Sequence, residues 1–237
     1  GDYFQACKGG GHGDYRMCVL APSSVQEAVT LTQEAFDIAD RYRNPVMVLG
    51  DGLIGQMMEP VELPEMVDYK VDPEEKPWAC TGWKPGDDPA KRAQINSIYI
   101  NTEDLAIHND ELQKVYREIE ANECMFEEYK TEDAEFIITA FGTVARIAKS
   151  AVDELREQGI KVGLFRPITL WPFPEKEIHE LAKTKKGILV VEINAGQMVQ
   201  DVRLAVNGQT PVEHFGRLGG IVPEPEEIVE ALKKLIK

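Results

Sequence analysis

The 237-residue sequence has no Cys-x-x-Cys pair; its four cysteines, Cys7, Cys18, Cys80 and Cys124, are scattered. Zinc ribbons and iron–sulfur clusters need closely spaced thiolates, so a local site of either kind is excluded. The four histidines, His12, His108, His179 and His214, are equally dispersed, and metal-ligand spacing is absent. Catalytic signatures are missing too. There is no Gly-x-Ser-x-Gly elbow, no Walker loop, and no Gly-x-Gly-x-x-Gly between the first strand and its helix. Positive charge is scarce: 26 Lys and Arg stand against 41 Asp and Glu, a formal net charge of −15. A field of that sign disfavours nucleic acid and anionic membrane surfaces. No apolar run approaches the roughly 20 residues of a membrane span. No signal-peptide pattern is visible, and free thiols then fit a reducing cytoplasm. The chain opens at Gly1, without Met, inside a segment that reads as ordered, and this points to a fragment of a longer protein.

What is present is an α/β pattern in three parts. Met17 to Leu20 is a short apolar run stopped by Pro22. Ser23 and Ser24, with Gln26 and Glu27 each three residues on, form a capping-box pattern. Residues 24–43 read as an amphipathic helix with Val25, Val29, Thr32, Phe36, Ala39 and Tyr42 on its inner face. Asn44-Pro45 ends it, and Val46 to Leu49 reads as a strand buried on both faces. Residues 60–132 lose this regularity. Six prolines between Pro60 and Pro89, two tryptophans and many acids mark a connector, within which 103–122 regains helical spacing. The acidic run Glu127 to Glu135 reads as a hinge. From 133 onward, strands at 136–141, 161–165, 187–193 and 211–215 alternate with helices at 144–157, 175–182, after 197 and 223–236. Arg166 to Pro174 reads as a rigid loop. Four β-α repeats of this size predict a small, mostly parallel, doubly wound domain.

The polar candidates cluster at turns. Gly9, Gly10, Gly11 and Gly13 place His12, Asp14 and Arg16 on backbone with little steric restraint, suited either to a ligand or to a plain surface turn. Asp51 follows a strand, where it is a site candidate or a turn residue. Gly142 and Thr143 begin a helix after a strand and could offer N–H groups to an anion or simply form a tight turn and cap. Glu192, Asn194 and Gln197 make another polar group at a strand end, serving a ligand, a subunit contact or a helix cap.

Several long blocks are familiar together. They are Gly1-Asp-Tyr-Phe-Gln-Ala6, Gly10-Gly-His-Gly-Asp-Tyr-Arg16, Val19-Leu-Ala-Pro-Ser-Ser-Val-Gln-Glu-Ala28, Asn44-Pro-Val-Met-Val-Leu-Gly-Asp-Gly-Leu-Ile-Gly-Gln56, Val162-Gly-Leu-Phe-Arg-Pro-Ile-Thr-Leu-Trp-Pro-Phe-Pro174 and Glu192-Ile-Asn-Ala-Gly-Gln-Met198. Over essentially its whole length the chain resembles the α subunit of 2-oxoacid:ferredoxin oxidoreductases, and most closely the 2-oxoisovalerate, branched-chain type.

The resemblance implies part of a pyrimidine-type thiamine-diphosphate domain at 1–59, the connector at 60–132, and a transketolase-C-terminal-like domain at 133–237. It implies oxidative decarboxylation of a 2-oxoacid to an acyl-coenzyme A and CO2, with electrons passed to ferredoxin. It implies thiamine diphosphate shared with a β subunit, magnesium and [4Fe-4S] clusters in partner subunits, coenzyme A as co-substrate, and further γ and ferredoxin-like δ subunits. No metal is expected on this chain. The substrate-side loop would hold Gly10, Gly11, His12, Asp14 and Arg16. The glutamate that activates the cofactor is expected upstream of Gly1. Many relatives carry arginine where Gly11 stands. A guanidinium grips a second carboxylate in bidentate fashion and glycine cannot, so a monocarboxylic, branched-chain substrate is expected unless Arg16 takes that role. The alternatives are a 2-oxoglutarate- or pyruvate-type member, another thiamine enzyme of the transketolase or dehydrogenase type, and a non-catalytic assembly subunit.

Overall fold

A computed structural model describes residues 1–9, 13–66, 75–89 and 92–237. Gly10, Gly11 and His12 therefore lie outside the described residues. The chain divides into a larger unit, Gly1–Glu62 with Leu112–Lys237, and a smaller one, Leu63–Glu111.

The larger unit begins with a short helix α1 (Tyr3–Cys7) and strand β1 (Cys18–Leu20). Helix α2 (Val25–Tyr42) follows, with Ser24 as N-cap: its hydroxyl accepts the Glu27 N–H at 3.1 Å. Glu27 reaches back one residue further, and its Oε2 accepts the Ser23 N–H at 2.7 Å. The helix stops at Arg43, which is in the left-handed region (φ 49). Strand β2 (Val46–Val48) then pairs parallel with β1.

Two expectations change here. The buried stripe of α2 runs through Leu31, Ala35, Ile38 and Tyr42, whereas Phe36 is 71% exposed and Thr32 is also at the surface. Two apolar stripes share this helix, and packing against Cys18, Leu20, Val46 and Val48 selects the one centred on Ile38. Strand β2 is half-buried rather than covered on both faces, because it forms an edge of a three-stranded sheet, order β2-β1-β6.

Helix α3 (Thr102–Asn122) rejoins the larger unit from Leu112, and Tyr116 and Ile119 are its buried residues. The acidic run after it is not a hinge. Residues Phe126–Tyr129 form strand β3, antiparallel to β5 (Val162–Pro167). Alternation explains this: Glu127 and Tyr129 are half-buried on one side while Phe126 and Glu128 are exposed on the other. A five-stranded sheet in the order β3-β5-β4-β7-β8 is completed by β4 (Phe136–Thr139), β7 (Gly187–Glu192) and β8 (Val212–Gly216). Only β3 runs antiparallel.

Strict alternation splits its side chains between two cores. Ile137, Ile188 and Val190 face α5 (Glu175–Ala182), α6 (Met198–Val206) and α1. Ile138, Leu189 and Val191 face α4 (Gly142–Glu157) and α7 (Pro225–Ile236). The doubly wound expectation is met, with helices on both faces. The loop expected at 166–174 contains a third strand of the first sheet, β6 (Thr169–Trp171), antiparallel to β1. One chain segment thus passes directly from the large sheet into the small one.

In the smaller unit, the Arg92 guanidinium lies over the Trp83 ring at 5.4 Å, and Tyr99 stacks on His108 with centroids 4.7 Å apart.

Candidate functional site

The parallel strands of the large sheet reverse their order between β4 and β7, because β5 lies on one side of β4 and β7 on the other. Ligands of open α/β sheets bind at the carboxyl ends of strands at such a switch point. Here a cavity of about 90 Å³ lies at that place, lined by Tyr3, Asp51, Phe141, Gly142, Glu192 and Asn194 among others. The structure therefore brings together four of the sequence candidates: Gly142 and three polar side chains, Asp51, Glu192 and Asn194.

Each of them is already engaged. Asp51 Oδ2 accepts the Thr143 N–H at 3.1 Å, and Oδ1 accepts the Thr143 hydroxyl at 2.9 Å and the Ile54 N–H at 3.0 Å. The anion at the start of α4 is thus the chain's own carboxylate. Gly142 is at φ +60, and a Cβ there would come within 3.2 Å of Asp51 Oδ2. Glu192 is buried (1% exposed) at the end of β7 and faces the start of α6. Its two oxygens accept the N–H groups of Met198 at 2.8 Å, Val199 at 3.1 Å and Gln197 at 3.2 Å, with the Asn194 amide at 2.9 Å. Three free N–H groups and the positive end of the helix dipole stabilise a buried carboxylate there. Gly50-Asp51-Gly52-Leu53-Ile54-Gly55 has Gly-x-Gly-x-x-Gly spacing after β2, which the sequence reading passed over. It opens only a three-residue 3-10 turn, Ile54–Gln56, so it lacks the helix N-terminus of a dinucleotide site.

Lys8 and Arg16, on either side of the glycine-rich stretch, lie at a second, larger cavity. About 540 Å³ is lined by Lys8, Arg16, Arg117, Trp171, Lys176 and Asp201 among others. Asp14 is exposed and Arg16 half-buried. The Arg16 guanidinium donates to the Tyr15 carbonyl at 2.9 Å, and the Asp14 carbonyl accepts from the Gln113 amide at 3.3 Å. Gln197, a candidate for a ligand, a subunit contact or a helix cap, bonds the first residues of the chain: its Oε1 accepts the Phe4 N–H at 2.9 Å and its Nε2 donates to the Gly1 carbonyl at 2.7 Å. Asp201, one turn on, accepts the buried Tyr3 hydroxyl at 2.6 Å and ion-pairs with Lys8. Burial, and then the Asp201 charge, push the Tyr3 phenol well above its ordinary range. Burial likewise pushes the Cys7 thiol up to about 12, so it is an inert thiol.

Two charged residues were missed. Asp201 carried a signal: it shares a helical face with Met198, Val202 and Ala205, and an acid on an apolar stripe needs a buried partner. Arg166 was passed over because it sits in a proline-rich run. It is 1% exposed, and its Nη1 donates to Glu27 Oε1 and to Glu127 Oε2, each at 2.9 Å. Burial favours the protonated Glu27 carboxyl, but hydrogen bonds from Arg166 and Ser23 outweigh it and hold the carboxyl below its ordinary range.

The described residues do not by themselves fit thiamine diphosphate. The Asp51 and Glu192 carboxylates are committed to helix N-termini. Among the described residues no group of three or more His, Cys, Asp and Glu side chains could hold a metal ion. No described helix is long and apolar enough to cross a membrane.

Comparison with known proteins is decisive about kinship. Residues 1–125 match the family model described as pyruvate flavodoxin/ferredoxin oxidoreductase, thiamine-diphosphate-binding, and residues 134–228 match core domain II of pyruvate:ferredoxin oxidoreductase. The chain is 44% identical over 99% of its length to the ketoisovalerate oxidoreductase subunit VorB of Methanothermobacter marburgensis, covering 64% of that protein. It is 32% identical over 99% of its length to the 2-oxoglutarate synthase subunit KorA of Methanothermobacter thermautotrophicus, covering 67% of it. It spans just under two thirds of the VorB subunits it matches. The fold matches a 2-oxoglutarate:ferredoxin oxidoreductase from Magnetococcus marinus with a TM-score of 0.73 at 21% identity, over all of this chain and 45% of that one. Taken together, these matches mean that the chain belongs to the pyruvate flavodoxin/ferredoxin oxidoreductase family, with its thiamine-diphosphate-binding region followed by core domain II.

Proposed function

We propose that the chain is part of the α-type subunit of a 2-oxoacid:ferredoxin oxidoreductase that takes 2-oxoisovalerate. The reaction is oxidative decarboxylation of the 2-oxoacid to an acyl-coenzyme A and CO2, with reduction of ferredoxin. In this reading thiamine diphosphate is shared with a β subunit, while magnesium and [4Fe-4S] clusters reside in partners, γ and δ subunits among them. The assembly is cytoplasmic. The observation that carries the substrate choice is the gap in identity: 44–45% to ketoisovalerate oxidoreductase subunits against 32–35% to 2-oxoglutarate synthase subunits. Gly11, where an arginine would grip a second carboxylate, supports the same choice.

This chain contributes the loop 8–16 to the substrate side, with Gly10, Gly11, His12, Asp14 and Arg16. Asp51, Gly142, Thr143, Glu192, Asn194 and Gln197 are further ligand or interface positions, set around helix starts at the strand ends. We propose domain limits at 1–59, 60–132 and 133–237.

The test is turnover by the complete complex, built on the full-length subunit, with 2-oxoisovalerate and 2-oxoglutarate as competing substrates and ferredoxin or NAD as acceptor. Faster use of 2-oxoisovalerate with ferredoxin supports the reading. Faster use of 2-oxoglutarate overturns the substrate, and NAD reduction overturns the class. Replacement of His12 by Ala should lower turnover; unchanged turnover in an intact complex would leave only an assembly role.

A further inference from the structure

We propose that Asp201 is a positioning residue for the glycine-rich loop, acting through Tyr3 and Lys8, with Gln197 as its companion. The proposal rests on the reading that this loop faces the substrate.

The physical basis is a set of anchors at the foot of the loop. Between Gly1 and Lys8, four contacts run to two residues of the α6 start. The Gly1 carbonyl and the Phe4 N–H bond the two ends of one Gln197 amide. The Tyr3 hydroxyl and the Lys8 ammonium share the two oxygens of one Asp201 carboxylate. Tyr3 is 1% exposed and its ring lies 5.8 Å from Phe141. The last of these contacts is made by the residue directly before Gly9. On the far side, the Asn44 amide donates to the Arg16 carbonyl at 3.2 Å, and Gln113 donates to the Asp14 carbonyl. Lys8 on one side and Asp14 and Arg16 on the other are thus fixed points, and the first of them depends on a carboxylate that is 8% exposed. A carboxylate with so little access to water is costly unless paired. Asp201 spends its pairing on the loop's foot rather than on its own helix, whose N-terminus Glu192 already caps. The two acids at the start of α6 therefore divide the work. One closes the helix, and the other ties a segment nearly 200 residues away in sequence to it.

The test replaces Asp201 by Asn in the full-length subunit within its complex. Asn keeps the shape and one acceptor but loses the charge. Because charge-assisted hydrogen bonds are the stronger ones, KM for the 2-oxoacid should rise about tenfold or more with kcat within about twofold. Amide exchange at Phe4, Ala6 and Lys8 should speed up about tenfold, while Met198 to Val206 stays protected. A fall in kcat with KM unchanged, or unchanged exchange at those amides, overturns the proposal and leaves Asp201 a purely structural acid. Should Asp201→Asn fail to fold, Tyr3→Phe and Lys8→Met each remove one contact and should raise KM about threefold; no change in either overturns it. If the wild-type complex turns over no 2-oxoacid, the functional reading falls, and exchange at the three amides alone decides whether Asp201 holds the loop.

Discussion

Two carboxylates, Asp51 and Glu192, solve the same problem at the carboxyl ends of neighbouring parts of the fold, and they solve it differently. Both satisfy the N–H groups that open a helix. Glu192 belongs to the strand that leads into its helix, and its partners lie five to seven residues on. Asp51 reaches a helix 92 residues away and also closes the turn at Ile54. The first is a local cap. The second joins the loop after β2 to the start of α4, and so ties the first sheet's connection to the second sheet. A helix start can therefore take its anion from its own strand or serve as a joint between distant parts of a chain, and the choice decides what its loss would loosen.

The comparison breaks most sharply at Glu192. Replacing it by Ala orphans three N–H groups in a dry site, and should cost about 3 kcal/mol, read as a Tm lower by about 6–12 °C. Amide exchange should rise in α6 first, since the cap is local. Asp51→Ala should cost about 2 kcal/mol, close to the upper end for an N-cap. Its signature is spatial: exchange should rise both at Leu53 and Ile54 and at Thr143, in two separated stretches. A loss confined to α4 would remove the distinction drawn here. Thr143→Val keeps the backbone bond and deletes only the hydroxyl, for about 1 kcal/mol. A double-mutant cycle with Asp51→Ala should then show most of that amount as coupling; additive effects would mean that the hydroxyl bond contributes nothing.

The smallest effect concerns a third acid at a helix start, Glu27. Arg166 and Ser23 lower its carboxyl below the ordinary 4.5 despite burial. A lowered folded-state value means that its contribution is complete above about 4.5 and fades as pH falls through the lower value. Acid unfolding of Glu27→Gln should accordingly be shallower between pH 4.5 and the foot of the transition, while the two proteins converge at the lowest pH.

Most of the fold was legible because its signals are local. Apolar runs at 136–139 and 187–192, helix periodicity at 144–157 and the Gly159 stop need no knowledge of the rest. What was not legible depends on distant partners. Strand β3 reads as an acidic linker until Arg166 and Lys149 are known to face Glu127. Helix α2 offers two apolar stripes, and only packing on β1 and β2 chooses the one through Ile38. The site shows the same division. Asp51, Gly142, Thr143 and Glu192 were found as polar residues at strand ends, but that pattern cannot say whether an N–H group awaits a ligand or another part of the chain. Asp51 and Thr143 await each other.

Strand β6 has a consequence for how the protein is made. Its partner β1 emerges from the ribosome well before it, since Val19 pairs with Trp171, about 150 residues later. At roughly 5–20 residues per second, β1 waits some 8–30 s with that side unpaired. During this interval an apolar segment, Cys18–Leu20, is available to the wrong neighbour. The last strand to join the small sheet is also the direct continuation of β5, so this sheet is completed only once the large one has begun to form. Yield of the folded chain should therefore respond to synthesis rate and to holding chaperones more than its final stability would suggest.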